Sequence, residues 1–397
     1  MEHADTLLGR PAARVGRLVA RDYLRRWTKA RERLDAPDDP EALHDFRVEL
    51  RRLRSVLRAF RPQREARISG RTWRRLRRLA DATSESRNLQ VERGWVEQQL
   101  EWLGPEEQGG ARWLLARLEE RQRMAEQRVE RRVRRWFAPL RWRLRQGLAE
   151  RNAAAASPKS GRSITTGVLV QRTVRQWSAE LEDHLAAIHA GSDLQSAHGA
   201  RIIAKRLRYL LEPFEQALPD GPAIIEQLTA LQGTLGRLQD VHVLGDELRE
   251  ALADIAAQRA RQTADQLLGR CGRVAPDATG PTVEAGLLAL AGRLREEADQ
   301  AFEALRTGWL EGRAASLLAQ LKDVGRGYRA KPRRAGPARG ALLAVELPSL
   351  RLGLGQLGHS RLREQQHAGD GDGVLQREAD DLGRVDDARL DQVHIPA

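Results

Sequence analysis

A single cysteine, Cys271, in 397 residues leaves no intramolecular disulfide and no cysteine-based zinc site, and it fits a reducing compartment. Aromatic residues make up only 4% of the chain, too few for a protein built on β-sheets, whose strands favour aromatic and β-branched side chains. No run of about 18 apolar residues occurs, so nothing in the sequence is expected to span a membrane. Met1 to Val15 contain no apolar stretch of the secretory kind, and the expectation is a cytoplasmic protein. No glycine-rich phosphate loop and no Ser/His/Asp arrangement is visible. His184 and His189 stand five apart, a poor helical spacing for sharing a metal. No paired carboxylates or thiols accompany His44 or His198. These absences predict no metal, no cofactor and no catalysis.

What is present is arginine and leucine in helix-forming company. Lysine and arginine total 68 against 55 acidic residues, a net charge of +13. The charge is unevenly placed: residues 1–160 hold 38 basic and 23 acidic residues, whereas the remainder is nearly balanced. A positive field over the first half implies an anionic partner. Leu, Ala, Arg, Glu and Gln dominate, all good helix formers.

Breakers divide residues 1–330 into eight expected helical stretches: about 9–34, 39–61, 67–103, 106–151, 168–190, 192–218, 223–269 and 282–328. Asp39 before Pro40 reads as an N-cap, and Ser192 with Gln195 reads as a capping box. Gly245 is a candidate break in the seventh stretch. Short loops between long helices imply antiparallel neighbours. Residues 331–397 hold no Trp, Tyr or Phe and no persistent apolar stripe, so they are expected to form a disordered or poorly packed tail.

The two halves repeat. Trp27 and Trp177 are 150 apart. His44, Arg47, Arg51, Arg52, Leu53, Arg54 and Phe60 match His198, Arg201, Lys205, Arg206, Leu207, Arg208 and Phe214 at a spacing of 154. Leu76, Leu79, Asn88 and Val91 match Leu228, Leu231, Asp240 and Val243 at 152. Near-constant intervals predict an all-α, internally duplicated chain of two four-helix bundles with long antiparallel helices, the first repeat covering residues 1–155 and the second 156–330.

The chemistry sits on the second and sixth stretches. Phe46, Leu50, Leu53, Leu57 and Phe60 form an apolar seam. His44, Arg47, Arg51, Arg54 and Arg58 form a cationic stripe about 200° away. Ala200, Ala204, Leu207, Leu211 and Phe214 repeat the seam, and His198, Arg201, Lys205 and Arg208 repeat the stripe. Like charges along one stripe repel, a local cost of the kind found at functional sites. The arginine fork donates two hydrogen bonds at once to phosphate. Successive turns about 5.4 Å apart can follow a phosphate chain, and histidine adds a donor or, near pH 6.5, about one further charge. A solvated basic face is the bland alternative for either helix alone; recurrence in both halves favours a site.

This twice-present His-x-x-Arg-x-x-x-Arg/Lys-Arg-Leu-Arg pattern resembles the CHAD family of conserved-histidine α-helical domains. His198-Gly199-Ala200-Arg201 through Lys205-Arg206-Leu207-Arg208-Tyr209 is the closer match, and Leu231-Gln232-Gly233-Thr234-Leu235-Gly236-Arg237-Leu238-Gln239-Asp240 is similar too. The resemblance covers roughly residues 10–330. It implies two helical bundles around a basic groove that binds inorganic polyphosphate, a binding module often associated with polyphosphate granules and without established catalysis. It implies that His44, Arg47, Arg51, Arg52, Arg54, His198, Arg201, Lys205, Arg206 and Arg208 line the groove, with Arg58 extending the first stripe. Arg87-Asn88 departs from the usual Arg-Asp. The Glu-x-Glu-x-Lys motif of the CYTH triphosphatase-type domain, a frequent fusion partner, is absent, which argues against triphosphate hydrolysis.

Two further features stand out. Arg71, Arg74, Arg75, Arg77 and Arg78 crowd the third stretch, where the second half is mostly neutral. Arginines between Arg131 and Arg145 alternate with Trp136, Phe137 and Trp142, aromatics expected to anchor the core rather than to stack on nucleic acid. A nucleic-acid-binding helical protein, or a scaffold pairing with acidic proteins, are the alternative readings.

Overall fold

Apolar residues recurring at three- and four-residue intervals fold the chain into helices, and the computed structural model describes residues 7–35, 39, 41–60, 68–149, 164–268 and 281–327. Among these residues there are nine α-helices and no strand: α1 (Ala12–Arg33), α2 (Ala42–Ala59), α3 (Gly70–Gln99), α4 (Gln108–Leu148), α5 (Thr166–Ala186), α6 (Leu194–Leu211), α7 (Gly221–Leu267), α8 (Pro281–Leu305) and α9 (Arg313–Gly327). A 3₁₀ turn, Glu212–Ala217, follows α6, and a π turn, Arg306–Leu310, joins α8 to α9 within the last expected stretch. The tail 331–397, Cys271 and most of the segment between the two halves lie outside the described residues.

Two capping expectations are corrected. Glu41, not Asp39, occupies the N-cap of α2, and the Asp39 carboxylate instead accepts from the Glu41 amide at 3.2 Å and from Arg33. Asp193, not Ser192, stands at the N-cap of α6, and its carboxylate turns back to accept the amides of His189 and Ala190, each at 2.8 Å. Ser69 and Thr165 cap α3 and α5 by accepting the amides of Thr72 and Val168. Gly245 does not interrupt α7, which runs unbroken for 47 residues.

α1 packs on α2, α3 on α4, α5 on α6, α6 on α7 and α7 on α8. α2 packs on both α3 and α6, while α3 also touches α7, so α2, α3, α7 and α6 close a ring. The main core draws leucines, valines and aromatics from both halves. Trp27 is fully buried, with Phe46 at 5.4 Å and Phe137 edge-on at 4.7 Å. A second core gathers Leu89 and Val96 of α3, Leu114 and Leu118 of α4, Leu248 and Ile255 of α7, and Leu287 and Leu290 of α8. It joins the far ends of the α3–α4 and α7–α8 hairpins, one from each half. Gly110 of α4 and Gly286 of α8 allow that crossing: a Cβ on Gly286 would lie 2.0 Å from the Glu107 carbonyl and 2.8 Å from the Gly110 Cα.

Two contacts join residues 154 apart, the interval that relates the two motifs. Pro11 and Thr165 form an antiparallel bridge, with Ala12 donating to the Ile164 carbonyl and Thr166 to the Arg10 carbonyl. Phe60 and Phe214 meet with ring centroids 6.5 Å apart.

Candidate functional site

Seams on α2 and α6 are buried throughout: Phe46, Leu50, Leu53, Leu57 and Phe60 on one, Ala200, Ala204, Leu207, Leu211 and Phe214 on the other. Fixing the seams fixes where the cationic stripes go, because side-chain direction along a helix follows from sequence spacing. The two stripes ride on helices that pack directly against each other, with α3 and α7 closing the ring beside them.

The stripes are deeper than a solvated face would be. Among the described residues, the buried arginines and lysines are Arg47, Arg201 and Lys205, and the buried histidine is His198. All four belong to the recurring pattern. Arg201 retains only 1% of its surface. The same residue types elsewhere, including the many arginines of α3 and α4, stay half-buried or exposed. The buried carboxylates, Glu92 of α3 and Glu247 of α7, lie on the helices of the second core instead. Desolvating a cation costs several kcal/mol, on the order of what one mutation can undo, so burial of this set demands a specific use or a specific compensation.

Other predicted residues are placed differently. Arg51, Arg54 and Arg206 are half-buried, while His44 and Arg58 are exposed. The pattern is therefore unequal between the halves: three buried positively charged or titratable groups on α6, one on α2. His44 is nevertheless held below the ordinary histidine range, first by desolvation and then by the charges of Arg47 and Arg87. Arg52 and Arg208 converge on one carboxylate, Glu212 of the 3₁₀ turn: Arg52 Nε lies 3.2 Å from it and Arg208 Nε 3.4 Å. Arg52 Nη1 also donates to Glu49 at 2.9 Å. Burial opposes the charge on Arg52, but Glu212 and Glu49 hold its pKa above the ordinary arginine value. Arg52, through Glu212, ties α2 to the end of α6, while the Arg208 pair lies within that helix end, a structural task that the motif alone does not show.

Side chains on α7 complete the surroundings. Gln239 Oε1 lies 3.1 Å from His198 Nδ1, within hydrogen-bond distance. Gln232, seven residues earlier and so on the same face, is buried with its Nε2 making no hydrogen bond. Arg208 also donates to Thr229 at 3.4 Å and lies 4.7 Å over the Tyr209 ring. Sequence reasoning missed Gln232, Gln239 and Glu212 as neighbours of the stripe. The signal was present for the glutamines: two amides at a heptad interval within a run of leucines.

Among the described residues no group of three or more His, Cys, Asp or Glu side chains is arranged to hold a metal ion. No helix among them is long and apolar enough to cross a membrane. What the arrangement offers is cations held at fixed positions along two packed helices, a set that suits anion recognition.

An all-helical fold with a buried His/Arg/Lys set on paired helices defines the class. The family model for the CHAD domain matches residues 18–249, more than half of the chain, and the protein belongs to the CHAD family. Among solved structures it is similar to the crystal structure of the CHAD domain from the plant Ricinus communis, at 20% identity and a TM-score of 0.46, over 80% of this chain and 92% of that one. It is also similar to PptA from Streptomyces chartreusis, at 16% identity and a TM-score of 0.51, over 75% and 98% of the respective chains. No curated protein matches the chain.

Proposed function

We propose that the chain is a binding module for inorganic polyphosphate, found where polyphosphate accumulates in granules, and that it does not catalyse a reaction on that polymer. One observation carries the reading: the arginines and lysine buried among the described residues are those of the recurring motif, joined by its second histidine. Phosphate oxygens accept charge-assisted, bidentate hydrogen bonds from arginine. The contacts between residues 154 apart support a two-fold relation of the halves, which would bring the α2 and α6 stripes to one polymer from two sides. Membership of the CHAD family supports the same reading.

A displacement titration at physiological salt tests it: labelled long-chain polyphosphate bound to the chain is challenged with unlabelled polyphosphate, single-stranded RNA or duplex DNA matched in charge. Polyphosphate is expected to win. Arg201→Met and Lys205→Met, which keep most of the buried volume, are expected to weaken polyphosphate binding at least tenfold each while the helical signal is retained. Equal affinity in folded variants and parent would remove the site. Polyphosphate recovered at unchanged length after incubation is the expected result for a protein that binds without cleaving.

A further inference from the structure

A second cationic surface lies outside the α2–α6 site. Residues 68–80 carry five arginines and no carboxylate, and residues 131–149 carry seven arginines and no carboxylate. The two segments run side by side and antiparallel: Arg132 Nη1 donates to the Arg78 carbonyl at 2.8 Å, and the open face of Gly147 meets Ile68. Leu76 and Leu79 of α3 and Val133, Leu140 and Leu144 of α4 turn into the main core. Helical periodicity then sends Arg71, Arg74, Arg131, Arg135 and Arg145 outward, where all five are exposed. Carboxylates just beyond the segments reach in at two points, Asp81 to Arg77 and Glu130 to Arg134.

One aromatic belongs to this surface. Trp136 and Phe137 of α4 pack against the core, as expected of them, but Trp142 is 62% exposed. It stands two residues after the buried Leu140, about 200° around the helix from the core seam. The antiparallel register places it level with the N-terminal turn of α3, where Arg71 is. An indole left in water among outward arginines fits a ligand that carries both negative charge and flat π faces. Polyphosphate has only the first of these. Single-stranded nucleic acid has both: phosphates for the arginines and bases that stack on aromatic rings without demanding a sequence.

We infer that the outward face of α3 and α4 binds single-stranded nucleic acid, with a base stacked on Trp142 and the flanking phosphates on Arg71, Arg135 and Arg145. The face is separate from the buried cations of α2 and α6, so RNA and polyphosphate occupy different places on one molecule.

The experiment measures fluorescence anisotropy of a labelled oligouridine 12-mer on the full chain, beside polyphosphate binding to the same samples. Trp142→Ala is expected to weaken oligouridine binding about tenfold, the loss of one stacked base. Trp142→Phe is expected to restore most of it, and both variants are expected to leave polyphosphate affinity unchanged. Arg131→Gln with Arg135→Gln is expected to weaken oligouridine and to lower the salt dependence of its binding. Arg201→Met, which tests the α2–α6 reading, is expected to leave oligouridine unaffected, so the two readings fail separately. Unchanged oligouridine binding in Trp142→Ala would overturn the stacking assignment. Parallel loss of polyphosphate and oligouridine in the arginine double variant, with no effect of Trp142→Ala, would make this face a general polyanion surface and overturn the inference as well.

Discussion

His44 and His198 hold equivalent places in the motif but not in the molecule. His198 is buried with Gln239 on its Nδ1, whereas His44 is exposed and faces the charges of Arg47 and Arg87. Those charges and desolvation keep His44 neutral to lower pH than an ordinary histidine. A bound anion favours the charged form, so binding takes up a proton in the window below the ordinary value of about 6.5. Affinity for polyphosphate is therefore expected to rise as pH falls from 7.5 to 5.5. Titrations at the two pH values should show a smaller rise in His44→Gln than in the parent; an identical rise would remove His44 from the site. The histidines and their companions were legible in the sequence because identity and spacing recur. Their depth was not, because burial of a stripe depends on which helices cover it. Trp142 shows the converse: it shares composition and neighbourhood with Trp136 and Phe137, and only the phase of the α4 core seam separates it from them.

At the scale of elements, the helices of the second core place two carboxylates where leucines prevail. Glu247 is buried and accepts from Arg117 at 3.2 Å and from Arg121. Glu92 of α3 is buried nearby, and desolvation, with the charge of Glu247, pushes its pKa up to about 7. A carboxyl raised from 4.5 to about 7 on folding binds its proton more tightly in the folded state. The folded state is then progressively destabilised as pH rises between those values, with the penalty fully present above about 7 and absent below 4.5. Its upper size is about 3 kcal/mol, at roughly 1.4 kcal/mol per unit. Glu92→Gln is expected to raise the Tm at pH 8 by several degrees and to change it little at pH 5. Thermal melts at both pH values decide this; an equal effect at the two would show that ionisation is not the cause. The close crossing of α4 and α8 supplies a second expectation. Gly286→Leu forces a side chain against the Glu107 carbonyl and is expected to cost about 1–3 kcal/mol or more in a denaturant melt. Helix existence and approximate ends followed from breakers and apolar period. The caps of α2 and α6 did not, since Asp39, Glu41, Ser192 and Asp193 all offered acceptors and tertiary partners chose among them. Gly245 was tolerated because packing on both sides of it offsets the roughly 1 kcal/mol that glycine costs inside a helix.

At the scale of the whole molecule, the halves recognised in sequence are not separately covered in space. Leucines of α1 to α4 share one core with those of α5 to α9, and the second core takes two helices from each half. Along α7, Leu228, Leu231, Leu235 and Leu238 serve the first core, while Leu244, Leu248, Ala251 and Ile255 serve the second. The six-residue step from Leu238 to Leu244 falls one short of a heptad and carries the side chain about 120° around the helix, to a different face. This change of phase is readable in the sequence, but its partner surface is contributed by α3 and α4, more than a hundred residues away. A fragment of residues 1–155 would expose the faces that α5, α6, α7 and α8 cover, and it is expected to be partly unfolded or aggregated, without the sharp thermal transition of the full chain. The full chain, for its part, is expected to unfold in one transition seen alike by far-ultraviolet circular dichroism and tryptophan fluorescence. On the proposed reading the cations of both halves belong to one cooperative unit, and polyphosphate bound to the folded state is expected to stabilise all of it. The gain is about 2.7 kcal/mol at a hundredfold excess over Kd, and it is expected to shrink as salt is added. Two separated transitions, with polyphosphate shifting only one, would mean that the halves fold independently and that the anion is held by one of them alone.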